Sequence, residues 1–218
     1  MGCFSSRVEA PTEEPLGPPA VELDAPTPAD TAAPTQPAEE KLELWRKKGG
    51  GDLEPVLASS AVALLDAQWV ISHAEAGGVL AHRQALPKEA FLSFADLVEA
   101  TAKFVLPSLH VAALSYPWLT KDHPDPRGAN LSRVARALKA LLTNNDGIIT
   151  RLGVFWDFGS LHQHPDPANG VVRTEEQNAL FKQGLGCLGT LYSHPKTCLL
   201  YTSPSPRDAT LSRMPSSA

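Results

Sequence analysis

The tetrapeptide His-Pro-Asp-Pro occurs twice in this chain, as His123-Pro124-Asp125-Pro126 and as His164-Pro165-Asp166-Pro167. A proline on either side of an aspartate restricts the backbone, so each carboxylate is held in place at low entropic cost. Such loops suit a polar binding site; Pro and Asp are equally the ordinary material of turns. His162 and Gln163 precede the second tetrapeptide, and His162-Gln163-His164 invites a zinc reading. Histidines at i and i+2 converge on a metal only from an extended segment, and no Cys or Glu completes a tetrahedral set at matching spacing, so no metal site is expected. Scattered His73, Glu75 and His82 read as a solvated polar face. Cys187, on a helical pattern beside Leu185 and Leu188, reads as a small buried hydrophobe and not as a nucleophile.

The elements around these residues would bring them to one place. Residues 111–116, VAALSY, form a short apolar run suited to a buried strand, followed by the proline-broken PWLTKDHPDPRGA. A helix starts near Asn130, and its Leu131, Val134, Ala135, Leu138, Leu141 and Leu142 make one apolar stripe opposite Arg133, Arg136 and Lys139. GVFWDF, at 153–158, is a second buried strand. Thr174 with Gln177 then makes a capping box for a helix with Phe181, Leu185, Leu188 and Tyr192 on one face. Strand, helix, strand, helix is the alternation of an α/β fold, here a partial parallel sheet with flanking helices. Right-handed crossovers put the carboxyl ends of both strands on one edge. Ligands bind outside that edge in open α/β sheets, so Ser115, Tyr116, Trp118, Asp125, Asp157, His162, Gln163 and Asp166 are the expected lining of a single crevice.

The rest of the chain divides around this module. It opens MGCFSSR, in which Gly2 and Ser6 match the N-myristoylation pattern. One myristoyl chain binds a bilayer only marginally, with an association constant on the order of 10⁴ M⁻¹, so a second signal is needed. Residues 8–40 carry eight acidic residues and no Lys or Arg, which excludes a polybasic second anchor and leaves S-acylation of Cys3. The eight prolines of that stretch, with little besides Ala, Glu and Thr, describe a disordered tether over 8–48, broken from the body by Gly49-Gly50-Gly51. Residues 52–108 read as a helical segment: Val62, Leu65 and Trp69 recur at helical spacing, and Ser93 is an N-cap with Asp96 three residues on. The α/β module follows over 109–197. A formal net charge of -5, with no basic block longer than Arg46-Lys47-Lys48, excludes a nucleic-acid footprint. No apolar run reaches the roughly 20 residues of a membrane span. Three Cys without a disulfide framework place the protein in a reducing compartment, so its expected location is the cytoplasmic face of a membrane, held by acyl chains.

The last 21 residues, CLLYTSPSPRDATLSRMPSSA, have the composition of a disordered tail. They also resemble the translation of a transposase-type sequencing-library adapter, CLLYTSPSPRD from one half and SRMPSSA from the other across a short index. That resemblance sets 198–218 apart from the fold and implies that the natural module continues past Thr197. Without Arg207, Asp208 and Arg213 the net charge moves from -5 to -6.

The residues Leu114, Ser115, Tyr116 and Trp118 (LSYPW), then Asp157 with Gln163 six residues on (DFGSLHQ), resemble the fungal heterokaryon-incompatibility (HET) domain. Leu185, Leu188, Leu191 and Tyr192 match the spacing of that family's following helix. The HET fold is in turn similar to Toll/interleukin-1 receptor (TIR) domains. The match covers about residues 110–197 and departs from the family at Phe155-Trp156, at Glu175-Glu176 and at Gly184. It implies an intracellular signalling or adaptor protein acting through protein partners or self-association. The alternative it implies is NAD cleavage of the TIR type, with the catalytic glutamate beyond Thr197 and no catalytic residue named here; no other cofactor is evident. Gly184, Gly186 and Gly189 cost a helix about 1 kcal/mol each against Ala, which close approach to a neighbouring strand or chain would offset.

Overall fold

Five short runs supply strands: β1 (Leu64–Asp66), β2 (Phe91–Leu92), β3 (Val111–Ser115), β4 (Gly153–Phe155) and β5 (Thr197–Tyr201). The helices between and around them are α1 (Gln36–Trp45), α2 (Glu54–Ala58), α3 (Ala67–Glu75), α4 (Phe94–Ala102), α5 (Ala129–Asn144), α6 (Asp157–Ser160) and α7 (Glu175–Ser193). This computed structural model describes residues 36–103, 111–120, 123–144 and 151–201. The chain divides into a segment Met1–Pro34 and a unit Thr35–Ala218, and only the second contains described residues. Gly2, Cys3, most of the tether and residues 202–218 lie outside them.

The strands make one mixed sheet in the order β2-β1-β4-β3-β5. β3 and β4 run parallel and side by side, with Val111 opposite Gly153, Ala112 opposite Val154 and Ala113 opposite Phe155. Their side chains alternate between two cores, as the pleat requires. Ala112, Leu114, Val154 and Trp156 face a layer formed by α3 and α5, where Leu131, Val134 and Leu138 of the α5 stripe are buried. Val111, Ala113 and Phe155 face the other layer, with Trp45, Leu53, Leu97 and Leu191. Helices therefore cover both faces of the sheet, and among the described residues none of them is long and apolar enough to cross a membrane.

Three boundaries differ from the sequence reading. The segment 52–108 is not wholly helical: β1 and β2 come from it and pair antiparallel, and β1 is also antiparallel to β4. AVALLDAQWVI satisfies helical spacing, yet its first half is extended because Leu64 and Leu65 find strands on both sides. Asp66, at φ -75° and ψ 124°, then N-caps α3 by accepting from the amides of Gln68 and Trp69.

The tether is shorter than 8–48, because residues 36–48 belong to the folded unit. Trp45 is fully buried, edge-on to Phe94 at 5.1 Å between ring centroids. Arg46 clamps Glu54 of α2 bidentately at 2.6 Å from both Nε and Nη2. The glycines that look like a break are a fitted turn: Gly49 takes φ +92°, and a Cβ on Gly50 would stand 2.3 Å from the Trp45 ring.

The sheet also runs past Thr197. Residues 198–201, set apart with the adapter-like end, pair in parallel with β3 from Val111↔Thr197 to Ser115↔Tyr201. Backbone groups make that ladder, and Leu199 and Leu200 pack on opposite faces, so any apolar pair at those two positions meets the demand.

In α7 the buried face differs by one position. Phe181, Leu188 and Tyr192 pack on the core while Leu185 is 45% exposed. Gly184 takes the place expected of a larger residue, because a Cβ there would stand 2.7 Å from Leu161 Cδ2 and 3.1 Å from the Ala61 carbonyl oxygen. Gly186 and Gly189 face open space.

Candidate functional site

At the carboxyl edge of β3 and β4 the side chains converge on Asp157. Trp156 follows β4 with extended backbone (φ -133°, ψ 108°) as the N-cap of α6, which Asp157 opens immediately after it. The Tyr116 hydroxyl donates to Asp157 Oδ1 at 2.6 Å, the Phe158 amide donates to the same oxygen at 2.6 Å, and Trp118 Nε1 donates to Oδ2 at 3.3 Å. Gln163 Nε2 donates to the Asp157 carbonyl oxygen at 3.1 Å. Thus Tyr116, Trp118, Asp157 and Gln163 meet as the sequence predicts, while Ser115 stands exposed at the end of β3. Burial, then the Asp157 charge and its hydrogen bond, push the Tyr116 phenol far above its ordinary range, so Tyr116 is a donor at neutral pH and not a base. Tyr192, which donates to the Leu114 carbonyl at 2.9 Å, is pushed up to about 12 by burial first and then by Asp157 and Tyr201.

Aromatic edges wall this cluster. Tyr116 meets Trp156 edge-on at 5.4 Å, and both Trp118, at 5.7 Å, and His123, at 4.8 Å, meet Phe158 edge-on. With both oxygens of Asp157 engaged, the arrangement is a lock that ties the loop after β3 to the start of α6. Two grooves of the unit lie elsewhere: one of about 400 Å³ between Leu57, Leu64, Leu92 and Arg83, and one of about 280 Å³ between α3 and α5. The Asp157 cluster lines neither.

The two His-Pro-Asp-Pro loops do not converge on Asp157. Asp125 is 1% exposed, and its Oδ2 accepts from the Leu131 amide at 2.7 Å, capping the first turn of α5. His123 Nδ1 accepts from the Asp125 amide at 2.9 Å, which places its proton on Nε2, where it bonds the Leu80 carbonyl at 3.0 Å. Asp166 turns back on its own loop, accepting from the amide and side chain of Asn169 at 3.2 and 2.7 Å. Both aspartates are therefore caps, the turn-forming role that Pro and Asp equally allow.

His162 leaves the crevice as well. Burial first, then the charges of Arg83 and Arg173, push its imidazole down to about 4. Gln84 holds this side together, donating from Nε2 to the Gln163 carbonyl at 2.7 Å and accepting from the Gln163 amide at 3.2 Å. Arg83, Gln84 and Arg173 are missed by sequence reasoning because most of their partners are backbone carbonyls and amides, which leave no side-chain pattern. His73 lies stacked on Trp69 at 4.6 Å, and Glu75 pairs with Lys139 at 2.6 Å. Among the described residues no group of three or more His, Cys, Asp or Glu could hold a metal ion.

Fold and site together define an α/β protein with a five-stranded mixed sheet and helices on both faces, carrying a self-satisfied polar lock at the carboxyl edge of its central parallel pair. Compared with known protein families, with curated proteins and with solved structures, the chain matches none.

Proposed function

We propose that this chain is a lipid-anchored intracellular signalling or adaptor protein whose TIR-like or HET-like α/β module works through protein contacts, self-association among them. The observation that carries this reading is how the carboxyl edge uses its polar groups. Tyr116, Trp118 and Gln163 turn theirs onto Asp157, and beside the exposed hydroxyls of Ser115 and Thr120 the edge presents large apolar side chains to solvent, with Trp118 40% and Leu119 55% exposed. Exposed aromatic and aliphatic side chains on a rigid base suit a protein contact better than a reaction that needs a free acid or base. The parallel adjacency of the strand before Tyr116 and the strand before Trp156 supports the kinship with the HET and TIR pattern. The MGCFSS start and the acidic tether support attachment by two acyl chains.

The test fractionates cells expressing the full chain, and separately follows the sedimentation of the purified chain. Membrane association is expected for the parent and loss of it for Gly2→Ala; a Gly2→Ala chain still on membranes sinks the anchor. Concentration-dependent association, weakened by Trp118→Ser with Leu119→Ser, is expected for the contact surface. For the alternative, whose catalytic glutamate is expected beyond Thr197, consumption of NAD by the purified full-length protein would replace the contact reading with NAD cleavage.

A further inference from the structure

Two partly buried arginines, Arg83 and Arg173, are held by hydrogen bonds to neutral groups. Arg83 Nη1 donates to the carbonyls of Ala61 and Ser160 at 3.1 and 3.2 Å, and Nη2 donates to the Ser60 carbonyl at 2.9 Å. Arg173 donates from Nε to Asn178 Oδ1 and from Nη1 to the His162 carbonyl, both at 2.9 Å, and its guanidinium lies 3.7 Å above the centre of the Phe181 ring. Among the described residues no carboxylate forms an ion pair with either group, although five such pairs occur elsewhere in the unit. Carbonyl oxygens satisfy N–H groups but bring no charge. Partly buried cations are ordinarily neutralised by a partner, so two of them anchored on carbonyls two residues apart, Ser160 and His162, leave positive charge there without a fixed counter-charge.

His162 joins the two. Its carbonyl receives Arg173, and the Ser160 carbonyl two residues earlier receives Arg83. Its own Nδ1 is buried without a hydrogen-bond partner. Arg83 Nε and Arg173 Nη2 likewise take no partner among the described residues, so unused donors remain on both forks.

We propose that Arg83, Arg173 and His162 form a binding site for the dianionic phosphoryl group of a phosphate monoester. The charge decides the class of ligand: one phosphoryl dianion neutralises both guanidinium groups, whereas a carboxylate neutralises one. Guanidinium forks match phosphate oxygens in geometry and are strengthened by the charge. Stacking on Phe181 fixes the plane of Arg173, which lowers the entropy lost on binding. The neutral imidazole supplies the remaining donor once Nδ1 carries its proton. The site is independent of the contact surface at Trp118 and goes beyond the adaptor reading. The phosphoryl group comes from a small ester or from a phosphoserine side chain, and the two sources are separable.

The test uses the purified full chain at constant ionic strength, with chloride as the balancing salt. Thermal unfolding is followed against inorganic phosphate, a sugar monophosphate and a phosphoserine peptide, and the His162 ring is followed by proton NMR. The midpoint should rise saturably with phosphate and not with chloride, and the His162 titration should move upward from about 4 as the dianion binds. Arg83→Gln also removes three carbonyl contacts, so the decisive variant is Arg173→Gln. Loss of one charge-assisted bond should weaken binding about tenfold or more in that variant. The tighter of the ester and the peptide names the source. No saturable rise with any of the three probes overturns the proposal, and so does an equal rise in Arg173→Gln and the parent.

Discussion

The same four residues, His-Pro-Asp-Pro, end in two different environments. The first copy is interior: Asp125 is 1% exposed, its backbone and His123 bond each other, and His123 carries the link on to Leu80 and Phe158. The second is peripheral: Asp166 closes a tight turn across Pro167–Asn169, bonds Asn169 within that turn and pairs with Val171 through an isolated bridge. The element downstream of each copy makes the difference. A 16-residue amphipathic helix packed against α3 needs an N-terminal cap and drags Asp125 inward. A single turn of 3-10 helix needs no such support. An identical motif therefore specifies a turn and leaves the energetics to its neighbours.

The comparison can be broken by substitution. Asp125→Ala should have the largest effect, about 2 kcal/mol or more in denaturant unfolding, from loss of a helix cap plus a buried cavity. A loss no larger than for the second loop would end the contrast. His123→Ala should cost about 1 to 2 kcal/mol, since it removes the bonds to the Leu80 carbonyl and from the Asp125 amide and an aromatic edge on Phe158. Beside the second loop the expected effect is a slope with pH. His162 has its pKa lowered to about 4 from an ordinary 6.5, so its contribution to stability is fully present above 6.5 and is lost as pH falls toward 4. The ring is partly exposed, so solvent screening keeps this slope small, and His162→Gln should flatten it in pH-dependent melts; an unchanged profile would remove His162 from the linkage. Asp166→Ala should be the smallest, within about 0.5 kcal/mol, as for other surface turns.

The parts that could be read from sequence are those decided locally. VAALSY and GVFWDF are unbroken apolar runs bounded by Pro, Gly and polar loops, and they become the central parallel pair. Ser93 and Thr174 cap their helices through bonds spanning three residues, so the cap is written beside its partner. Tyr116, Trp118, Asp157 and Gln163 converge because strand polarity alone sends them to one edge.

The illegible parts depend on distant partners. Leu64 and Leu65 are strand only because β2 and β4 flank them, and nothing within AVALLDAQWVI records those neighbours. Trp45 sits in a charged octapeptide behind a Pro-rich stretch, yet its indole fills a hole made by Phe94 and Gly50. Arg83 and Arg173 are tied to carbonyls about 20 to 80 residues away or to neighbours along the loop, and carbonyls are the same in every residue.

Trp45 also gives the chain a mechanical character. Any pull transmitted from residues before Gln36 arrives first at α1, whose last residue is a peg seated in the interior. Force must extract an indole and shear the Arg46–Glu54 clamp before it reaches a strand, so the sheet is buffered from tension by a sacrificial joint at its N-terminal entrance.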